Sequence, residues 1–291
     1  MKKIIFIGGC SRSGTTLVEM HYSNILNISG FGELRHLASR GFSADDKCGC
    51  GDFFSECIFW RSMFKEKNFE WHRFEKLSLY FNSLRGYFFY LFPIFRSKSW
   101  CKDFKYYISA LREIYIDLSE DSDIFLDSSK NPIYYLYLKD ALEDFDMYYL
   151  DVIRSPFGVV NSWSSVKIRE EAKSRDEMKR YNIIFASFLW NIYVFFSSMI
   201  SGKQKQHGKV VYESFCKEPS KIPETLKKFI GESSSYQGYH GVSGNPSRLN
   251  FEIKRNYKVD TGYKKNNILW KLTVTLLALP GLILKKILYK Q

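Results

Sequence analysis

A glycine-rich loop near the amino terminus separates a short apolar run from a stretch in which apolar residues recur. The apolar run covers Lys2 to Ile7, the loop has the sequence GCSRSGTT from Gly9 to Thr16, and the following stretch extends to Leu26. This order predicts a β-strand, a tight turn and an α-helix. Backbone N–H groups and the positive end of the helix dipole converge at such a turn. The loop is therefore expected to bind a phosphate or a similar anion, the alternative being a glycine turn that only leads into a buried helix.

The loop differs from a nucleoside triphosphate-binding loop at one decisive position. Its glycines have the G-x4-G spacing, but Thr15 stands where that motif has a lysine. A different cation, Arg12, precedes the second glycine by two residues. Because the lysine would be the main local counter-charge for the β- and γ-phosphates, the sequence disfavours ATP or GTP hydrolysis.

Three more short hydrophobic runs, each followed by polar or turn-forming residues, predict further strands. They are Asp123 to Asp127, Met147 to Ile153 and Lys209 to Tyr212, and helix-length segments separate them. Repeated alternation of strands and helices indicates an α/β fold with a central parallel sheet flanked by helices. We expect the 291 residues to form one domain, with an aromatic helical insertion at about 62–120 and a basic amphipathic tail at about 250–291.

The chain carries a net charge of +12, which predicts a negatively charged partner. From Pro246 to the end there are ten lysines and arginines against two acidic residues, so this tail holds +8 of the +12. Nucleic acid, anionic lipid and phosphorylated small molecules all have the required charge.

Four segments resemble the motifs of one enzyme family and follow the order found there. Ser11 to Thr16, with the sequence SRSGTT, resembles the phosphosulfate-binding loop of sulfotransferases that use 3′-phosphoadenosine 5′-phosphosulfate (PAPS). The others are Gly32 to Leu34, the DSSKNP stretch Asp127 to Pro132, and Ile153 to Pro156 followed by Ser162. Together the matches extend from residue 5 to about residue 250. The resemblance, to bacterial and tyrosylprotein members in particular, implies a sulfotransferase fold related to the P-loop nucleotide hydrolases.

The resemblance also implies three catalytic residues. Glu33 would act as the base that takes the proton of the acceptor hydroxyl, with His36 as the second candidate because other branches of the superfamily use a histidine. We expect partial burial to raise the pKa of Glu33 from about 4.3 toward neutrality. Lys130 and Arg12 would offset the charge that gathers on the bridging oxygen and the departing phosphate.

The resemblance assigns further residues to PAPS binding, and its product would be adenosine 3′,5′-bisphosphate. Ser13 to Thr16 would hold the 5′-phosphate, and Arg154 with Ser162 would hold the 3′-phosphate. The segment from His240 to Arg248 resembles a glycine loop that folds over the nucleotide. The complete set of predicted PAPS contacts is Arg12, Ser13, Gly14, Thr15, Thr16, Arg154, Ser162, Tyr212, Gly244 and Arg248. The family needs no metal or redox cofactor for this chemistry.

Three closely spaced cysteines, Cys48, Cys50 and Cys57, have the spacing of a zinc knuckle. A zinc site needs four ligands, and His36 and His72 are the nearest histidines in the sequence. Similar cysteine-containing stretches occur in bacterial sulfotransferases, and this resemblance implies a structural role in shaping the acceptor side. A disulfide, a metal site and free thiols stay open. Six cysteines in all, and no signal-peptide core, predict a cytoplasmic protein.

Two uncharged segments have membrane-like composition. Tyr181 to Gly202 is long enough to cross a bilayer but contains six Asn and Ser residues, so we expect a buried helix. Leu272 to Leu284 is shorter and is bracketed by lysines, which suits a helix that lies on an anionic membrane surface or docks on the protein.

The sequence thus predicts a sulfotransferase that moves a sulfuryl group from PAPS to a hydroxyl of an acceptor, with a carbohydrate or a lipid or glycolipid favoured. We do not expect nucleic acid as a partner. The alternatives are a P-loop kinase, which would need Mg²⁺ and an acidic partner strand, and a non-enzymatic basic module that binds membranes or nucleic acid.

Overall fold

The computed structural model describes residues 2–64, 69–120, 122–232, 235–244, 249 and 257–288. In these residues the strands are β1 Lys3–Gly8, β2 Ile28–Gly32, β3 Ile124–Lys130, β4 Asp146–Ile153, β5 His207–Val211 and β6 Ser235–Val242. The helices are α1 Thr15–Ile25, α2 Ile58–Phe64, α3 Trp71–Phe81, α4 Leu84–Leu91, α5 Lys98–Glu120, α6 Pro132–Ala141, α7 Pro156–Ser164, α8 Ile183–Lys203, α9 Tyr212–Phe215, α10 Glu224–Ile230 and α11 Ile268–Leu288.

The six strands form one sheet in the order β5-β4-β1-β3-β2-β6, and every pair of neighbours is parallel. The predicted α/β fold with a central parallel sheet is therefore confirmed. Because all strands run in the same direction, their carboxyl ends lie at one edge of the sheet. In open parallel sheets this is the edge where ligands bind.

Helices cover both faces of the sheet, which explains why its central strand is a continuous apolar run. Ile4 and Phe6 of β1 point into a core formed with the aromatic helices α3 to α6. Ile5 and Ile7 point to the opposite side, where they pack with residues of α1 and α10. All four side chains are fully buried.

Two strands, β2 and β6, were not predicted from the sequence. β2 has the sequence ISGFG and β6 the sequence SYQGYHGV, and glycines interrupt both. Glycine weakens a strand pattern because it adds no side chain to the buried face. The expectation that His240 to Val242 belong to a glycine loop was wrong, since these residues end β6 and the loop begins at Ser243.

The long apolar helices α8 and α11 pack against each other beside α7. Pro280 lies inside α11, and Asn191 of α8 bridges the helix there. Its side-chain nitrogen donates to the Leu277 carbonyl at 2.8 Å, and its oxygen accepts from the Gly281 N–H at 2.9 Å. By length and composition alone, both helices could cross a membrane. However, α8 leads into β5, which pairs with β4 in the sheet, so both ends of α8 belong to the same folded body.

Candidate active site

The carboxyl end of every strand in the described sheet contributes a residue predicted to act in the site. Arg12 lies in the loop after β1, Lys130 is the last residue of β3, and Gly244 follows β6. Directly after their strands come Glu33 for β2, Arg154 for β4 and Tyr212 for β5. These six residues line one cavity of about 400 Å³. The parallel sheet thus brings together residues that are up to 232 positions apart in the sequence.

The cavity wall is strongly cationic. Among the described residues that line it, eight lysines and arginines face two carboxylates, those of Glu33 and Asp260. The eight cations are Arg12, Arg35, Arg40, Lys130, Arg154, Lys167, Arg169 and Lys179. Such a concentration of positive charge in a concave site favours a ligand with several negative charges.

The glycine-rich loop places the start of α1 in this cavity. Gly14, with φ at 93°, precedes the helix, and Thr15, Thr16 and Leu17 of the first turn line the cavity. Gly14 is required for packing as well as conformation, because a Cβ there would lie 2.4 Å from the Tyr212 ring. Arg12 has φ at 74°, a left-handed conformation that is uncommon outside glycine and often marks a functional loop.

Glu33 and Lys130 form a buried ion pair, with Lys130 Nζ 2.6 Å from Glu33 Oε1. Burial by itself would raise the pKa of Glu33, but the charge of Lys130 and then those of Arg35 and Arg40 lower it well below its usual range. The expectation of a pKa raised toward neutrality was wrong, because it considered burial without these cations. Glu33 is an ionised carboxylate in this state.

His36, the second candidate base, lies beside Glu33. Its Nε2 is 3.8 Å from Glu33 Oε2, and the ring lines the same cavity. Burial and the charges of Arg35 and Arg40 lower the pKa of His36 well below its ordinary value, so the imidazole is neutral. Both candidate bases are therefore in the form that can accept a proton.

Asp127 holds the end of β3 in the shape that presents Lys130. Its carboxylate accepts hydrogen bonds from the Ser129 N–H at 2.8 Å, the Ser129 hydroxyl and the Tyr115 hydroxyl, both at 2.5 Å. Burial raises the pKa of Asp127 to about 6 despite these bonds. Lys130 itself has φ at 66°, so the chain reverses sharply at the residue that enters the cavity.

Arg154 is 6% exposed and is held on three sides. It donates to the Arg12 carbonyl at 2.9 Å and to Asp260 Oδ2 at 2.9 Å, and its guanidinium carbon lies 4.5 Å from the centre of the Tyr212 ring. Its own carbonyl accepts from Trp190 Nε1 of α8 at 3.2 Å. The planar fork of Arg154 is thus fixed at the cavity wall, with a carboxylate as its present anionic partner.

Comparison with known proteins identifies this arrangement of strands. No protein-family model and no curated protein matches the chain. Among solved structures, the sulfotransferase domain of the Synechococcus PCC 7002 olefin synthase aligns with a TM-score of 0.51 and 16% identity, over 95% of this chain and 93% of that one. The sulfotransferase domain from the curacin biosynthetic pathway aligns with a TM-score of 0.50 and 15% identity, over 96% of each chain. This chain has the sulfotransferase fold.

Within this sulfotransferase fold, the other predicted PAPS contacts do not all line the cavity. Ser162 lines the cavity and its hydroxyl accepts from Lys167 Nζ at 2.9 Å. Ser13 is absent from the cavity wall as far as the described residues form it. Its N–H donates to the Cys10 carbonyl at 3.0 Å, and its hydroxyl is buried without a hydrogen-bond partner in the described part of the chain. Arg248 lies outside the described residues.

Five cations that line the cavity were not predicted from the sequence, namely Arg35, Arg40, Lys167, Arg169 and Lys179. Arg35 is in a short helical turn directly after Glu33, and it donates to Glu33 Oε2 at 3.4 Å. Arg40 is in a π-helical turn after β2, where it donates to Ser243 Oγ at 2.6 Å. The other three belong to the irregular segment between α7 and α8. The only signal available was the density of Lys and Arg in that segment, which does not distinguish a cavity wall from a solvated loop.

Proposed function

We propose that this chain transfers the sulfuryl group of PAPS to a hydroxyl group of an acceptor. The observation that carries the proposal is the convergence, at the end of a parallel sheet with the sulfotransferase fold, of eight cations on one cavity that contains the buried carboxylate of Glu33. A polyanionic donor fits the cations, and a carboxylate among them fits a proton acceptor.

The residues present fit the two anionic ends of PAPS. At one end, the start of α1 together with Arg12 and Lys130 supplies backbone N–H groups and two cations for the phosphosulfate. At the other, Arg154 already binds a carboxylate, that of Asp260, and Lys167 and Ser162 lie on the same cavity wall. A buried arginine that already donates to a carboxylate suits the 3′-phosphate, because its planar guanidinium matches phosphate oxygens.

The proposed reaction requires side chains that accept a proton and side chains that stabilise the negative charge of the departing phosphate. PAPS supplies an activated sulfuryl group; the acceptor oxygen forms a new bond to sulfur, and the bond from sulfur to the bridging oxygen breaks with its electron pair going to the departing phosphate. Glu33 accepts the proton of the acceptor hydroxyl. Lys130 and Arg12 stabilise the negative charge on the departing phosphate. As Lys130 moves toward the departing phosphate, it moves away from Glu33. The loss of this neighbouring positive charge raises the pKa of Glu33, so the carboxylate can hold the proton.

The proposal also covers where the enzyme works. We propose that α8 and α11 rest on an anionic membrane surface, which brings the cavity to a lipid or glycolipid hydroxyl from the cytoplasmic side. Several large apolar side chains on the two adjacent helices are exposed, and in α11 they are accompanied by lysines. The most exposed are Ile184, Phe188 and Phe195 of α8 and Ile268, Leu269, Leu276 and Ile287 of α11. An apolar face with neighbouring lysines is typical of helices that lie in a membrane interface.

Vesicle binding tests the location. The full chain should sediment with phosphatidylcholine vesicles that contain phosphatidylserine, and less with phosphatidylcholine alone. The double variant Leu272→Glu, Leu276→Glu should reduce binding at least tenfold, whereas Leu79→Glu, an equally exposed leucine on α3, should not. Absence of binding to either vesicle, or equal binding by all variants, would contradict the membrane proposal and leave the transferase proposal unaffected.

Calorimetric titration with adenosine 3′,5′-bisphosphate, AMP, and ATP with Mg²⁺ tests the donor. We expect the bisphosphate to bind most tightly, because Arg154 and its neighbours add contacts to the 3′-phosphate. In Arg154→Lys the preference for bisphosphate over AMP should fall about tenfold, since lysine keeps the charge but loses the fork. Arg73→Lys, on the exposed surface of α3, should keep the full preference. Tightest binding of ATP with Mg²⁺, or no nucleotide binding, would overturn the proposal.

A further inference from the structure

Three cysteines and a histidine that are distant in sequence meet at the edge of the sheet, outside the cationic cavity. Cys48 and Cys50 come from a turn after the π-helical segment, Cys57 directly precedes α2, and His240 belongs to β6. The four possible ligand atoms lie within 4.8 Å of one another. A fourth ligand could not be predicted from the sequence, because His240 is 183 residues beyond Cys57. His36, one of the two histidines nearest to the cysteines in the sequence, lines the cationic cavity instead.

Three of the six distances between ligand atoms match the edges of a tetrahedral zinc site, and all six are within 4.8 Å. Zinc binds sulfur at about 2.3 Å and imidazole nitrogen at about 2.0 Å, which requires edges of about 3.8 Å between two sulfurs and about 3.6 Å between sulfur and nitrogen. Cys50 Sγ lies 3.7 Å from Cys57 Sγ. His240 Nδ1 lies 3.4 Å from Cys57 Sγ and 3.8 Å from Cys48 Sγ. A disulfide would need about 2.05 Å between sulfurs, so Cys50 and Cys57 are free thiols at the spacing that a metal requires.

Hydrogen bonding sets the histidine tautomer that a metal needs. His240 Nε2 is 3.1 Å from the Gln237 carbonyl oxygen, which can only accept, so Nε2 carries the proton. Nδ1 therefore presents its lone pair to the cysteine sulfurs. The ring is also fixed by Phe59, which stacks on it at 4.6 Å between ring centres. A ligating histidine that donates its second N–H to a backbone carbonyl is the usual outer-shell arrangement of metal sites.

The backbone conformation around the cysteines also brings the four ligand residues together. Cys48 and Gly51 close a tight turn, with the Gly51 N–H donating to the Cys48 carbonyl at 3.0 Å and Gly51 at φ 103°. Gly49 lets β6 approach, since a Cβ there would lie 2.6 Å from the Tyr239 ring, and its N–H donates to the Gly241 carbonyl at 3.0 Å. The turn and the strand are thus joined at the position where the four ligands meet.

We propose that Cys48, Cys50, Cys57 and His240 bind one structural Zn²⁺ ion. Three thiolates and one imidazole in a tetrahedron are the donor set that zinc prefers, and four protein ligands leave no open position for catalysis. Binding releases the thiol protons and involves no change of oxidation state. The proposal is independent of the proposed sulfuryl transfer.

The ion would fasten an edge strand that supports the active site. Within the described residues β6 pairs with β2 on one side only, and the turn from Cys48 to Gly51 makes further contacts with β6 through the Gly49 N–H. At its end, the Val242 carbonyl accepts from the Glu33 N–H at 2.7 Å, and Gly244 lines the cavity two residues later. Zinc therefore connects the stability of the sheet edge to the position of Glu33.

Metal analysis of the full chain, purified with reduced thiols and without chelator, tests the proposal. Mass spectrometry of the metal content should give about one zinc per chain. Cys57→Ser and His240→Ala should lower the content to the level of the buffer, whereas Cys101→Ser, which removes an exposed thiol on α5, should retain the ion. Reconstitution of the zinc-free chain with Co²⁺ should produce the visible absorption of tetrahedral cobalt with thiolate ligands, and His240→Ala should lose it.

Three results would overturn the zinc proposal. They are a metal content equal to that of the buffer in the wild-type chain, equal zinc in Cys57→Ser and Cys101→Ser, and a Cys50–Cys57 disulfide in freshly purified protein. If the ligand variants do not fold, titration of the wild-type chain with a zinc chelator decides the matter. Loss of one equivalent of zinc together with a lower unfolding temperature supports the site, and an unchanged unfolding temperature contradicts it.

Discussion

Lys130 Nζ lies 2.6 Å from Glu33 Oε1, and both side chains are buried at the carboxyl ends of neighbouring strands. The pair joins the proposed proton acceptor to the cation proposed to stabilise the leaving group. Each residue lowers the cost of burying the other's charge, so the pair is stable only while both are ionised. In the proposed reaction, proton transfer and departure of the phosphate are linked, because a lysine that moves to one partner leaves the other.

Glu33→Gln should lower the rate of sulfate transfer from radiolabelled PAPS by about 10²–10⁴-fold, the usual contribution of a general base. Affinity for adenosine 3′,5′-bisphosphate should be kept or increased, because the change removes a negative charge from a cationic cavity. Glu70→Gln, which alters an exposed carboxylate directly before α3, is the matched control and should keep full activity. A Glu33→Gln chain with wild-type turnover would transfer the role to His36.

The acid side of the pH profile should depend on Lys130. Burial raises the pKa of Glu33, but Lys130 makes the largest contribution among the cations that lower it below its usual range. Wild-type kcat/KM should therefore show no loss from Glu33 protonation until well below pH 4.5. In Lys130→Met the residual activity should decline at a higher pH, because burial is then less opposed. The pH dependence of kcat/KM in the two chains checks this, and identical acid limbs would show that Lys130 does not control Glu33.

Asp260 accepts from one nitrogen of the Arg154 guanidinium, so removing the charge of Asp260 should favour a phosphate there. Burial opposes ionisation of Asp260, but the Gly262 N–H and Arg154 lower its pKa, which keeps a carboxylate on the arginine. Asp260→Asn should increase affinity for adenosine 3′,5′-bisphosphate about tenfold, or about 1.4 kcal/mol, and leave AMP affinity unchanged. Calorimetry measures both. Asp123→Asn, far from the cavity, should change neither, and weaker bisphosphate binding by Asp260→Asn would mean that Asp260 helps to hold the ligand.

The sequence could predict four of the six strands because their apolar runs need no partner to be recognised. β2 and β6 depend on pairing instead: Gly30 and Gly32 bring β2 close to β6, where Cβ atoms would meet Tyr239 and the backbone of Val242. A pattern of side chains cannot show that two glycine-rich segments are buried against each other. β6 was therefore partly assigned to a loop.

The candidate site also contains residues that the sequence could predict and residues that it could not. Arg12, Glu33, Lys130 and Arg154 could be named because each follows a strand in a motif with fixed spacing, and the structure places all four in one cavity. Arg40 and Arg169 could not, since they reach the cavity through irregular backbone. The pKa of Glu33 was also beyond the sequence, because its direction depends on which cations lie near it in space.

Glu19 should make the unfolding free energy depend on pH. It is fully buried in α1 and accepts from the Gly32 N–H at 2.7 Å and the Ser128 hydroxyl at 2.5 Å, yet burial raises its pKa from 4.5 to about 8. The folded chain holds this proton to a higher pH than the unfolded chain, so stability is full below pH 4.5 and declines as pH rises to about 8. The loss is on the order of 5 kcal/mol.

Glu19→Gln should remove this decline while keeping the hydrogen bond from Gly32. Urea unfolding at pH 5, 7 and 9 measures this dependence, with Glu56→Gln, which alters an exposed carboxylate, as the control that keeps the wild-type slope. A wild-type chain whose stability rises steadily over this range, with the same trend in Glu19→Gln, would mean that Glu19 is ionised when folded.

Asn191 should contribute to stability through the backbone of a different helix. Pro280 has no N–H to donate within α11, and beside it the Asn191 amide takes the place of the Gly281-to-Leu277 bond by contacting both groups. Asn191→Ala leaves both backbone groups without that partner in an apolar interface, which should cost about 2 kcal/mol of unfolding free energy. Thr273→Ala, which removes a hydroxyl bonded only to its own helix, should cost less than about 0.5 kcal/mol. Equal costs in urea unfolding would show that α8 and α11 are held together by their apolar contacts alone.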